Sequence, residues 1–150
     1  MIIFRPRENE AFFFVETKYK RAITIEFKLE NKMSIIRKHS SERMSKINIH
    51  NGTIYFSGQV ANDVTVGIKT QTQDCLKKID ALLLEAGSDR DNILSTTIFI
   101  RSMADFALMN EAWNEWIGPH EKPARACVEA NMAREQILVE ICIIAAVKNT

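Results

Sequence analysis

The sequence predicts an α+β fold: a two-layer sandwich in which a mixed β-sheet carries two helices on one face. Three observations lead there. An Asn51-Gly52 pair sits between two short alternating runs, two later segments repeat apolar residues at helical spacing, and the runs between and after them are strand-like and rich in apolar residues. Hairpin, helix, strand, helix, strand, strand pack most economically as a sheet covered by its two helices.

Residues 1–32 stand apart as an N-terminal extension of unknown role. They hold Phe12-Phe13-Phe14-Val15 and an alternating run, Ala22–Glu30, in which Ile23, Ile25, Phe27 and Leu29 oppose Thr24, Glu26 and Lys28. An extra β-hairpin is one expectation for them, and a biological start at Met33 another. The run Ala11–Val15, flanked by Glu8, Glu10 and Glu16, is too short for a secretory signal core. Asn31–Ser45 is charged and polar and reads as a connecting loop.

From residue 33 to 150 a single domain is expected. Ile47–His50 and Thr53–Gln59 form the hairpin, because a type I′ turn needs positive φ at both central residues and Asn-Gly supplies it. That second strand ends at Gly58-Gln59, where the missing side chain lets backbone or ligand approach closely. A helix follows over about Val66 to Ala86, capped by Asp63 or Thr65 and stopped by Gly87, with Ile68, Thr72, Cys75, Leu76, Ile79 and Leu83 on its apolar stripe. Leu94–Arg101 is a strand with both faces largely apolar. Asp105–Ile117 is a second helix whose buried stripe is Phe106, Met109, Trp113 and Trp116 or Ile117, ended by Gly118-Pro119. The last strands are Ala124–Ala130 and Ile137–Val147. With helices on one side only, Phe99, Leu138, Cys142 and Ile144 would be bare on the other, which points to association of subunits through that face.

Composition removes several function classes. Net charge is +1, so no basic field favours nucleic acid, and no run reaches the roughly 18 apolar residues of a membrane helix. Three scattered cysteines, Cys75, Cys127 and Cys142, make no disulfide framework and suit a reducing compartment, the cytoplasm. Metal and nucleotide motifs are absent. His39, His50 and His120 lack ligand spacing and read as loop residues.

The residues that draw attention are Arg125 and Glu140. A carboxylate inside an otherwise apolar strand needs a partner, whose removal would cost about 3–5 kcal/mol. If the last two runs pair antiparallel with Ala130 near Gln136, Arg125 falls beside Ile141, next to Glu140. Such a pair is either a structural salt bridge or a site that grips an anion and works a water, and the two residues by themselves leave both open.

Longer segments narrow the choice. NGTIYFSGQVA (Asn51–Ala61), a helix ending in LLLEAGSDRDNIL, STTIFIRSMADFALMNEAW (Ser95–Trp113), and PARACVEA followed by LVEICIIAAV resemble the RidA/YjgF family of enamine/imine deaminases, from about Met33 to Lys148. The resemblance implies a chorismate-mutase-like fold, a homotrimer with clefts between subunits, and hydrolysis of 2-imino acids to 2-keto acids and ammonia without cofactor or metal. It implies Arg125 and Glu140 as catalytic residues, with Arg125, Cys127, Ser57 and Asn110 binding substrate. A planar guanidinium suits the substrate carboxylate, and Glu140 could activate water or protonate the leaving nitrogen. Cys127 would contribute backbone and a small side chain, since no His near it in sequence could activate the thiol. Ser57 and Asn110 have structural readings as well, a backbone cap and a helix-to-strand contact. One departure is Met44, where many deaminating members carry a tyrosine thirteen residues before the serine of the SGQ motif. It keeps open a non-catalytic trimer that binds small carboxylates. A ribonuclease or translation inhibitor, a role attached to some relatives, is disfavoured by the near-neutral charge.

Overall fold

The computed structural model describes residues 34–148, and Lys20 alone from the stretch before them. The hairpin expected within residues 1–32 therefore lies outside the described residues. Six strands make one mixed sheet: β1 (Ile36–Ser40), β2 (Ser45–His50), β3 (Thr53–Phe56), β4 (Ile93–Ile100), β5 (Ala124–Glu129) and β6 (Val139–Ala146), in the spatial order β1-β2-β3-β6-β4-β5. Helices α1 (Ile68–Glu85) and α2 (Phe106–Ile117) cover one face. The α+β sandwich read from the sequence is the fold observed.

The β2–β3 turn has Asn51 at φ 50° and Gly52 at φ 74°, the left-handed pair a type I′ turn requires. Along β6 the side chains alternate strictly. Val139, Ile141, Ile143 and Ala145 are buried beneath the helices, while Glu140, Cys142, Ile144 and Ala146 are half-buried on the other face. Ile68, Cys75, Leu76, Ile79, Leu82 and Leu83 of α1 and Met109, Trp113 and Ile117 of α2 complete the core. Full burial of each aliphatic side chain is worth about 1.5–3 kcal/mol. Cys75 is the packed thiol its place on the stripe suggests, and burial pushes it up to about 12. Among the described residues no helix is long and apolar enough to cross a membrane.

Four expectations need correction. The segment read as a loop contains β1, which pairs antiparallel with β2 through Ile36↔Ile49 and Lys38↔Ile47. As an edge strand exposed on most of its length, β1 carries no alternation for a hydrophobic reading to find. Helix α1 begins after Gly67, whose extended backbone gives the N-cap without a side-chain bond; Asp63 instead accepts from the amide and hydroxyl of Thr65 in the preceding turn. The third concerns β5 and β6, which do not pair. β4 lies between them, parallel to β5 and antiparallel to β6, with Thr96 opposite Arg125 on one side and Ile143 on the other. β4 suits that inner place because its helix-side residues are buried and its other side, with Ser95, Thr97 and Phe99, is half-buried and uncharged, whereas β5, with Arg125 and Glu129, is the charged edge. His39 and His50 also lie in strands rather than loops.

Candidate functional site

The strand order places the candidate residues in two groups. The first is built on the edge strand β5. Arg125, Cys127 and Glu129 pair with Thr96, Ile98 and Ile100, whose side chains are buried beneath the helices, so all three residues stand on the helix side of the sheet. Arg125 Nη1 donates to Asn110 Oδ1 at 2.8 Å, and its Cζ lies 5.2 Å from the centre of the Trp113 ring. One edge of the guanidinium and one face are thus fixed by α2, which costs the side chain its rotamer freedom in advance. Among the described residues Arg125 enters no ion pair, and it is exposed. Glu129 Oε2 accepts from the Met103 amide at 2.7 Å and ties the turn that leads into α2 to the same strand. Cys127 is half-buried; desolvation raises its thiol pKa, a shift that the Arg125 charge opposes. The thiol is held as a neutral group at neutral pH and is not an activated nucleophile.

The second group lies where β3 runs out beside β6. Glu140 pairs with Phe99 and so stands on the face away from the helices. Its carboxylate accepts no hydrogen bond and makes no ion pair among the described residues. Ser57 Oγ donates to the Ser45 carbonyl at 2.7 Å, which commits its proton to backbone and leaves its lone pairs free. Met44, just before that Ser45, is exposed. Cys142, two residues along β6 from Glu140, has its pKa raised by burial and by the Glu140 charge.

Arg125 and Glu140 are therefore not neighbours, contrary to the pairing suggested by the sequence. The row Arg125–Thr96–Ile143 is three residues along β4 from the row Val128–Phe99–Glu140, and the two side chains leave opposite faces. They stand roughly 10 Å apart along the strand and about 10 Å across it. Asn110 joins Arg125, as a positioning contact; Ser57 bonds Ser45 and precedes Gly58, whose backbone lies against the Glu140 side chain. Trp113 was read from sequence only as core, and its second use, as a platform for Arg125, left no signal in the helical spacing. Thr96 was likewise unremarked: it is buried opposite Arg125 with its Oγ1 unpartnered.

A cavity of about 310 Å³ lies between α1 and α2, but none of these residues lines it. There Arg90 forks onto Asp80 at 2.6 and 2.8 Å and stacks on Trp116, a brace between the helices. No group of three or more His, Cys, Asp and Glu side chains is gathered for a metal among the described residues.

The family model for Endoribonuclease L-PSP matches residues 36–147, which includes all six strands and both groups of residues. The chain belongs to the RidA/YjgF family. A RutC family protein of Haemophilus ducreyi is 40% identical over 115 residues, 77% of this chain and 98% of that protein. RutC family protein YoaB of Escherichia coli K12 is 39% identical and is covered completely. Among solved structures, a YjgF-family member from Neisseria meningitidis superposes with a TM-score of 0.75 at 39% identity, covering 79% of this chain and 99% of that one. Membership of the RidA/YjgF family is compatible with an enzyme and consistent with enamine/imine deamination.

Proposed function

We propose that this family member is a hydrolytic deaminase that converts reactive 2-imino acids, and the enamines in equilibrium with them, to 2-keto acids and ammonia. The observation that carries the reading is the state of Arg125: exposed, held by Asn110 and Trp113, and without an ion pair among the described residues. A fixed guanidinium fork is what a small carboxylate needs. Water adds to C2 of the protonated imine as Glu140 takes its proton, giving a neutral carbinolamine. The same carboxyl passes that proton to the amine nitrogen, the C–N bond breaks, and the hydroxyl gives its proton back to the Glu140 carboxylate as the keto group forms and ammonia leaves. Imine hydrolysis has a low intrinsic barrier, so an anion anchor and a placed water suffice. No cofactor or metal enters these steps.

Because one chain sends Arg125 and Glu140 to opposite faces, we place the working site between copies, with the guanidinium of one subunit meeting the carboxylate of its neighbour in a homotrimer. The half-buried Phe99, Cys142 and Ile144 and the exposed Val128 and Tyr55 on the uncovered sheet face support burial against a second copy. Three free thiols suit the cytoplasm. An imine generated in situ from alanine or leucine by an amino-acid oxidase, with catalase present, tests the reaction. Keto-acid release accelerated in proportion to added protein is the expected result, and a rate equal to the buffer rate at every concentration rejects it.

One observation favours a second reading, a trimer that binds small carboxylates without turnover: Ser57 has already committed its proton to Ser45, and Met44 brings no hydroxyl. It would show keto-acid binding by calorimetry beside that null rate. A ribonuclease is not adopted, since a net charge of +1 offers little field for a phosphate backbone.

A further inference from the structure

The register of the sheet slips by one residue beside Glu140. Ile54 and Tyr55 pair with Ala145 and Ile144, and the next bridge is Gln59 with Ile141, so Phe56, Ser57 and Gly58 face only Cys142 and Ile143. A bulge of this kind bends its strand and re-aims what lies beside it. Gln59 and Ile141 exchange both backbone hydrogen bonds, each at 2.9 Å, which clamps the residue after Gly58 to the residue after Glu140. Gly58 is not among the glycines with positive φ, so nothing in its backbone demands glycine. What demands it is space. A Cβ built on Gly58 would overlap Glu140 Oε1 and stand 2.8 Å from Cδ and 3.0 Å from Cγ.

We propose that Gly58 is a positioning residue: the volume its side chain leaves empty is the seat of the Glu140 carboxylate, and the bulge with its Gln59–Ile141 clamp holds that seat in place. The inference deepens the deaminase reading and rests on it for its kinetic consequence. The seat explains how a carboxylate without a hydrogen-bond partner among the described residues still has a defined position, because the absent Cβ leaves room for it over Gly58 and the clamp fixes the backbone on both sides. A methyl group at position 58 would push the carboxylate off the seat. The clash falls on the far end of a flexible side chain, so the fold tolerates it while the position of the proton acceptor does not.

The test is Gly58→Ala in the full chain, with Glu140→Ala and the double variant. Gly58→Ala is expected to keep its melting temperature within a few degrees of wild type, to lower kcat about 30-fold or more, and to leave KM within about threefold, since Arg125 still anchors the substrate. With the carboxylate removed the seat has no occupant, so the double variant should match Glu140→Ala within twofold. A double variant that loses the Gly58→Ala factor again on top of Glu140→Ala overturns the proposal, as does a Gly58→Ala enzyme with wild-type kcat. Should Gly58→Ala unfold the chain, Glu140→Ala must restore folding; failure to restore it also overturns the seat. A readout independent of turnover is the Cδ resonance of Glu140 in ¹³C-glutamate-labelled protein, identified by its loss in Glu140→Ala. It should shift in Gly58→Ala, and an unmoved resonance counts against the seat even if the wild-type chain proves to have no deaminase activity, an outcome that would sink only the reaction.

Discussion

Arg125→Ala is expected to lower kcat/KM for an alanine-derived imine by roughly 10²–10⁴-fold, the loss of two charge-assisted hydrogen bonds to a carboxylate. The size follows from how the guanidinium is held. Asn110 occupies one Nη1 donor and Trp113 one face, and the remaining N–H groups of this exposed side chain have no partner among the described residues. Arg125→Lys is expected to recover less than a tenth of the loss. A lysine keeps the charge, but it is a single point on a flexible stem that cannot fork and leaves Asn110 without its partner. The defect should appear mainly in KM, because the anchor acts on substrate and transition state alike. Steady-state kinetics with the oxidase-coupled imine measures both variants. Wild-type kcat/KM in Arg125→Ala would reject the anchor, whereas circular dichroism and a melting temperature within a few degrees of wild type would show that α2 and β5 remain docked through Glu129.

The largest stability effect is expected at Gln71. Its side chain is fully buried on α1, where Nε2 donates to the carbonyls of Val64, Val66 and Gln136 at 2.9–3.1 Å and Oε1 accepts from the Leu138 amide at 3.0 Å. One amide thus fastens the approach to α1 and the chain entering β6 to the same helix turn. Gln71→Ala leaves one amide and several carbonyls without partners and should cost about 3 kcal/mol, about 10 °C in melting temperature for a chain of this size. Gln71→Glu is more informative. Burial and the carbonyl oxygens both oppose a carboxylate there, so the folded-state pKa of the introduced acid lies above its unfolded value. Its stability contribution is present below the unfolded pKa and is lost as pH rises through the folded one. Urea denaturation should therefore find this variant closer to wild type at pH 5 than at pH 8. An equal gap at both values would mean that the amide pocket is open to water.

How much was legible in the sequence depended on whether a residue's environment is written in its neighbours. The Asn51-Gly52 turn and the two helices declare themselves through local chemistry and 3.6-residue spacing, and each was found. β1 was not, because an exposed edge strand has no pattern of burial to display. The order of β4, β5 and β6 was missed for a different reason. Adjacency in sequence suggested a hairpin, while β4, uncharged on both faces and so suited to the middle, lay further upstream. That one misplacement set Arg125 beside Glu140 on paper, whereas the fold sends the two to opposite faces. The residues of the candidate site were identifiable from motif resemblance. Their supports were less so: Trp113 looked like ordinary core, and Gly58 declared only that something comes close.

The back-to-back placement of Arg125 and Glu140 has a genetic corollary on the shared-cleft reading. In a cell making two versions of the chain, one without its anchor and the other without its proton acceptor, some mixed trimers would still assemble an intact cleft from the sound half of each. Two lesions that are each silent on folding and each lethal to activity could then mask one another. The cost would be borne by the clefts that drew both damaged halves.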